Sequence, residues 1–135
     1  MRRRETRADV LDPSFSSGGR KNYIIDIDGV ICENVLNGEP GKMKIAKEIP
    51  GARETINQWF DQGHIICFLT SRTDDHKAIT ETWLRKHRFK YHLVLFNKPR
   101  GGNYHYVDDK TIRATRFKGR FGKFVRKRRV IEVLE

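Results

Sequence analysis

The stretch Tyr23-Ile24-Ile25-Asp26-Ile27-Asp28-Gly29 decides the fold. A short, nearly continuous apolar run stopped by glycine reads as a strand from the middle of a parallel sheet, buried on both faces. Two carboxylates interrupt it at its C-terminal end. Lying two apart on a strand, Asp26 and Asp28 point to the same side. Open parallel sheets bind their ligands beyond the C-terminal strand ends, so a site is expected here.

Working towards the C-terminus, Asn37-Gly38 is a tight-turn signal, and Val30-Ile31-Cys32 and Met43-Lys44-Ile45 flank it as the arms of a small hairpin. Pro50 starts a helix that Gly63 ends, with Ala52, Ile56, Trp59 and Phe60 on one face. His64 to Thr70 is a second buried strand. Thr73 or Asp74 caps the next helix, which carries Ile79, Trp83, Leu84 and His87 on one side. His92 to Phe96 is a third strand and Tyr104 to Val107 a fourth, ending at Asp108-Asp109. Thr111 to Phe117 reads as a helix and Arg129 to Leu134 as an edge strand or docking segment. Strands alternating with helices predict an α/β domain with a parallel sheet flanked by helices.

The chain of 135 residues accommodates one such domain. Residues 1–21 form a polar basic arm ending in Ser16-Ser17-Gly18-Gly19, residues 22–116 the catalytic domain, and residues 117–135 a basic segment. Charge follows this division. Of the net +11, residues 1–21 hold +3, residues 22–109 hold none and residues 110–135 hold +8. Clustered positive charge attracts polyanions. The tail around Lys118 to Arg129 interleaves arginine and lysine with Phe121 and Phe124, which suits single-stranded nucleic acid; the alternative is a solvated basic tail, with Phe121 and Phe124 packed on the core or a partner subunit. No run of 18 apolar residues is present and the basic N-terminus has no apolar stretch behind it, so a cytoplasmic protein without a membrane partner is expected. Cys32 and Cys67 sit in apolar runs as small buried residues, and the five histidines lack metal-ligand spacing. His64 and His105 read as structural, and His76, His87 and His92 as surface or helix-end residues.

Every strand ends in groups that suit a ligand site: Asp26 and Asp28, then Thr70-Ser71-Arg72, then Asn97-Lys98, then Asp108-Asp109. The four aspartates together would repel one another strongly. A hard cation with oxygen ligands relieves this, and Mg²⁺ is the usual choice beside phosphate. With the Lys98 charge and the Thr70 hydroxyl added, the set describes a phosphoryl-transfer site.

The same segments carry a family resemblance. Ile24-Ile25-Asp26-Ile27-Asp28-Gly29-Val30 resembles the first motif of the haloacid dehalogenase (HAD) superfamily. Leu69-Thr70 is similar to the second, Lys98 in Asn97-Lys98-Pro99 to the third, and Tyr106-Val107-Asp108-Asp109 to the fourth. The resemblance covers roughly residues 22–116. It implies a Rossmann-like fold with Asp26 as nucleophile, Asp28 as general acid and base, and Thr70 and Lys98 holding the phosphoryl group. It implies Mg²⁺ on Asp26, the Asp28 carbonyl and Asp108, with Asp109 assisting. Only 41 residues separate Asp28 from Thr70 and 27 separate Thr70 from Lys98, which leaves no room for a cap domain. An open site accepts a large substrate or is covered by a second copy of the chain. Thr70-Ser71-Arg72 and Ile49-Pro50-Gly51 look most like a capless subgroup associated with capsule and sugar-phosphate biosynthesis. Ser71, Arg72, Asn34 and neighbouring Glu33 are the expected substrate contacts. The resulting expectation is a Mg²⁺-dependent phosphomonoesterase for a small phosphorylated metabolite such as a sugar phosphate. A nucleotidase or nucleic-acid end phosphatase is the alternative, and a non-catalytic binding module a further one. The aspartyl-phosphate step serves hydrolysis and phosphotransfer alike, so both stay open.

Overall fold

A computed structural model describes residues 19–122 and Leu134. Strand β1 (Asn22–Ile25) is followed by helices α1 (Pro40–Lys44) and α2 (Ala52–Asp61), strand β2 (Ile65–Leu69), helix α3 (Lys77–Lys86) and strand β3 (Leu93–Leu95). A short 3₁₀ turn, Asp74–His76, leads into α3. The strands make one parallel sheet in the order β1-β2-β3, with Ile25 opposite Phe68 and Leu69 opposite Leu95. This is the small Rossmann-like α/β arrangement expected.

Central strand β2 alternates its side chains between faces. Ile66 and Phe68 join the main core with Ile27, Ile56, Met43, Trp83 and Leu84, while Ile65 and Cys67 are buried on the opposite face. α2 lies against β2, and Trp59 on α2 stacks on Tyr23 of β1 with ring centroids 4.0 Å apart. Trp83 stacks on Phe89 and donates its indole N–H to the Ala46 carbonyl at 2.9 Å, so both tryptophans pack as core residues. Gly51, at φ +84°, supplies the left-handed residue before α2.

Five expectations change. The hairpin at 30–45 does not form. The turn at Asn37-Gly38 is present, but Pro40 fits the first turn of a helix and the chain enters α1 instead. Cys32 makes isolated bridges to Asp28 and Glu48 in place of a ladder. Tyr104–Val107 is not a strand: Gly101, Gly102 and Asn103 all take positive φ and turn the chain outwards, leaving Tyr104, Tyr106 and Val107 exposed. Residues 111–117 form no helix, because Ile112 and Phe117 lie five apart and make no apolar stripe. β1 is not buried on both faces, since Ile24 is 55% exposed. His92 also departs from a surface role, as its Nδ1 accepts the Ile66 N–H at 3.0 Å and its ring stacks on Phe60.

The arm at 1–18 and the segment 129–133 lie outside the described residues, as does Phe124. Phe121 packs against the core, where a side chain added at Gly51 would press on it.

Candidate active site

β1 ends at Ile25, and the next four residues make the turn that presents the carboxylates. Gly29 at φ +82° lets the chain fold back, and the Ile27 carbonyl accepts the N–H groups of Val30 and Ile31. The Asp26 Oδ1 accepts the Ile27 N–H at 2.8 Å and lies 3.5 Å from Lys98 Nζ. Lys98 reaches this point because the exits of β2 and β3 are tied together. The Thr70 N–H donates to Leu95, the Lys98 N–H to Thr70 and the Asn97 N–H to Arg72, each at 2.9 Å. Asn97 turns the chain at φ +65°, a conformation asparagine tolerates. The Lys98 ammonium lies 4.8 Å above the Tyr104 ring, and its side chain is 13% exposed. The lysine is thus sheltered while the Asp26 side chain, 37% exposed, opens to solvent.

Asp28 lies in a separate electrostatic setting. Arg72 Nε donates to Asp28 Oδ2 at 3.0 Å and Arg72 Nη2 to Oδ1 at 2.8 Å, a two-pronged fork. The Cys32 thiol donates to Asp28 Oδ1 at 3.7 Å. Burial, followed by the negative charge of Asp28, pushes the Cys32 thiol up to about 12, so it stays a neutral thiol. Thr70 is fully buried and its hydroxyl oxygen accepts the Arg72 N–H at 3.1 Å.

Structure and sequence reading agree in bringing Asp26, Asp28, Lys98, Ser71 and Asn34 to one end of the sheet. Asp26, Asp28, Asn34 and Ser71 line a shared cavity of about 200 Å³. Glu33 instead faces the loop before α2, where it accepts the Lys47 N–H. Arg72 also borders the cavity, while its guanidinium is engaged by Asp28 and the interior. The cluster of four aspartates is not assembled. Asp108 and Asp109 are exposed; Asp108 accepts from Tyr106 Oη at 2.7 Å and Asp109 lies 3.3 Å from Lys110 Nζ. The Tyr106 hydrogen bond holds the Asp108 carboxyl below its usual range.

The Mg²⁺ implied by the resemblance requires oxygens gathered in near-octahedral geometry. Among the described residues no group of three or more His, Cys, Asp or Glu is placed to hold a metal ion. Asp108 and Asp109, which the resemblance counts among the ligands, are exposed and engaged by Tyr106 and Lys110 instead, which leaves Asp26 and the Asp28 carbonyl at the strand end without them. The donors as placed do not fit a magnesium site.

Two cavity residues were missed by the sequence reading. Arg100 contributes a cation, and Asn37 borders the cavity while its Nδ2 donates to the Ser71 carbonyl at 3.1 Å. Arg100 was legible as a second cation two places after Lys98. Asn37 was read only as a turn residue.

A family model described as the LNS2 domain of PITM 1-3 matches residues 23–116. Membrane-associated phosphatidylinositol transfer protein 3 of Mus musculus is 29% identical over 80 residues, which is 58% of this chain and 8% of that protein. Membrane-associated phosphatidylinositol transfer protein 1 of Rattus norvegicus is 30% identical over 81 residues, 59% of this chain and 6% of that protein. The chain thus spans less than a tenth of these curated relatives. Among solved structures, a structural-genomics target from Vibrio cholerae aligns with a TM-score of 0.52 and 23% identity, covering 69% of this chain and 83% of that one. A chain of the Pnkp1/Rnl/Hen1 RNA repair complex aligns with a TM-score of 0.50 and 20% identity, covering 70% and 32%. At these identities the two structures speak for the fold.

Proposed function

The chain belongs to the LNS2 domain family, a phosphatase-type fold, and from that premise we propose a phosphomonoesterase that works through an aspartyl-phosphate on Asp26. The observation that carries this reading is the Asp26–Lys98 pair, 3.5 Å apart at the end of β1, with Asp26 on the wall of an open cavity. The Asp26 carboxylate attacks phosphorus as the bond to the leaving oxygen breaks, and Asp28 donates a proton to that oxygen. Water then attacks the phosphoryl group, Asp28 takes back a proton, and inorganic phosphate leaves with Asp26 restored. Lys98 offsets negative charge that builds on the phosphoryl oxygens. Thr70 has a hydroxyl hydrogen to offer the same oxygens, and Ser71 stands beside it. The HAD resemblance, with its motifs in order along the chain, supports these roles.

Mg²⁺ enters this proposal as a requirement to be assayed, and no step is written through it. The ligands the resemblance implies include Asp108 and Asp109, which would have to move in from their exposed position.

A small phosphorylated metabolite, of which a sugar phosphate is the leading case, suits a cavity of about 200 Å³. The capsule and sugar-phosphate likeness rests on the Thr70-Ser71-Arg72 and Ile49-Pro50-Gly51 runs. The relatives are named for phosphatidylinositol transfer, which makes phosphorylated derivatives of that lipid worth assaying, beside the nucleic-acid end phosphates that the basic ends already suggest. A cytoplasmic setting and a second copy covering the open site stay within the proposal; among the described residues no helix is long and apolar enough to cross a membrane. The distance of Asp108 and Asp109 from a gathered site favours one other reading, phosphate binding without turnover.

Phosphate release from sugar phosphates, phosphoinositides, nucleotides and end-phosphorylated oligonucleotides, with Mg²⁺ or EDTA, tests the proposal. Release by the wild type and a loss of at least about 10³-fold in Asp26→Asn are expected, because removing a nucleophile removes the covalent route. Binding of a panel member without release would establish the non-catalytic reading instead.

A further inference from the structure

We propose that Arg72 is a positioning residue that holds the acid–base carboxylate of Asp28 and gives it a cation of its own. The inference rests on the acid–base reading of Asp28.

Arg72 follows the exit of β2 at a place where arginine side chains usually reach solvent. Here the residue is only 2% exposed. Besides its two bonds to Asp28, it donates from Nη1 to the Thr80 hydroxyl at 3.0 Å and from Nη2 to the Cys32 sulfur at 3.8 Å. Thr80 is itself fully buried on α3, so the guanidinium is braced from the helix side. The planar fork therefore leaves Asp28 one orientation, with both oxygens held.

Stability alone is a poor reason for such an arrangement. Replacing a buried ion pair by well-packed apolar residues is often neutral or stabilising, whereas removing one partner is costly. A pair kept at the mouth of a cavity calls for a second explanation, and charge allocation provides one. Asp26 and Asp28 lie two residues apart, with Lys98 only 3.5 Å from Asp26. Without Arg72 the Asp28 carboxylate would face the cavity with no cation of its own, two residues from Asp26. With it, Lys98 remains assigned to Asp26 and the phosphoryl group, while Asp28 is held at 17% side-chain exposure facing the cavity. Lysine is a point charge and cannot reproduce the fork.

The test compares two leaving groups. p-Nitrophenyl phosphate leaves without needing a proton, whereas an alkyl phosphate depends on the general acid. In Arg72→Lys, turnover of the alkyl phosphate should fall by about 10²-fold, the scale of general acid catalysis. The pre-steady-state burst of nitrophenolate should change by less than about threefold. Thr80→Val, which keeps the fork but removes its brace, should show the same pattern at about three- to tenfold and serves if Arg72→Lys does not fold. Equal losses on both substrates, or a rise in KM with kcat unchanged, would overturn the positioning role. A wild type that releases phosphate from neither substrate overturns the enzymatic reading itself, and the acid–base role of Asp28 with it.

Discussion

Asp26 and Asp28 share a strand end and a chemical type, yet they meet different partners. Asp26 meets the Lys98 ammonium and one backbone N–H, and Asp28 meets a guanidinium and a thiol. Separate surroundings are how two carboxylates come to perform separate tasks. The cysteines have a consequence at the same scale. Burial raises the Cys67 thiol to about 11, and burial with Asp28 raises Cys32 to about 12, from an ordinary value of 9.0. A raised folded-state value favours the protonated form in the native protein. The associated stability is complete below about pH 9 and is lost as pH rises from there through 11 and 12. The urea midpoint should therefore fall above pH 9, and fall less steeply in Cys67→Ala. An alkaline limb identical in the variant and the wild type would contradict this.

Among the elements, β2 is paired on both edges and buried, whereas residues 104–107 lack backbone ladder bonds and are exposed. Amide exchange tracks local opening. The amides of Ile66 to Phe68 should exchange slowest among the described residues, and those of Tyr104 to Val107 should exchange within seconds at neutral pH. The outer edge of β1 has no strand partner among the described residues. If adding Mg²⁺ slows the 104–107 amides, the segment has moved onto a ladder. If they remain fast, Asp108 and Asp109 stay outside the site under assay conditions.

Charge matters most for the whole molecule. The central residues 22–109 are electrically neutral and the net +11 belongs to the ends of the chain. Affinity for a polyanion carried by those ends should fall steeply with salt, by about 10³-fold or more between 50 and 200 mM if six or more phosphates are contacted. Of the site cations, Lys98 and Arg72 are sheltered and only Arg100 is exposed, so affinity for a small monophosphate should change far less over the same range. A steep salt dependence for oligonucleotide or vesicle binding beside a shallow one for metabolite turnover separates the work of the ends from that of the site. Equal slopes would argue that one surface does both.

The sequence alone determined three parallel strands and the strand ends at which the candidate site is sought. Apolar runs at Tyr23–Ile27, His64–Leu69 and His92–Phe96 have the composition of buried parallel strands, and each is closed by polar residues at the end where ligands bind. Burial is a property of composition and period, and both can be read along a chain. Lys98 beside Asp26 was legible for the same reason, since both follow strands of known order. Only the tertiary structure decided what the charged groups face. Arg72, written in the chain like any surface arginine, turns inwards because Asp28, Thr80 and Cys32 converge on it from three different segments. Asp108 and Asp109 follow a strand-like run but stand apart, because three successive positive-φ residues at 101–103 redirect the chain before it. Such outcomes depend on contacts between residues dozens of positions apart and on backbone turns whose direction the side-chain pattern does not encode.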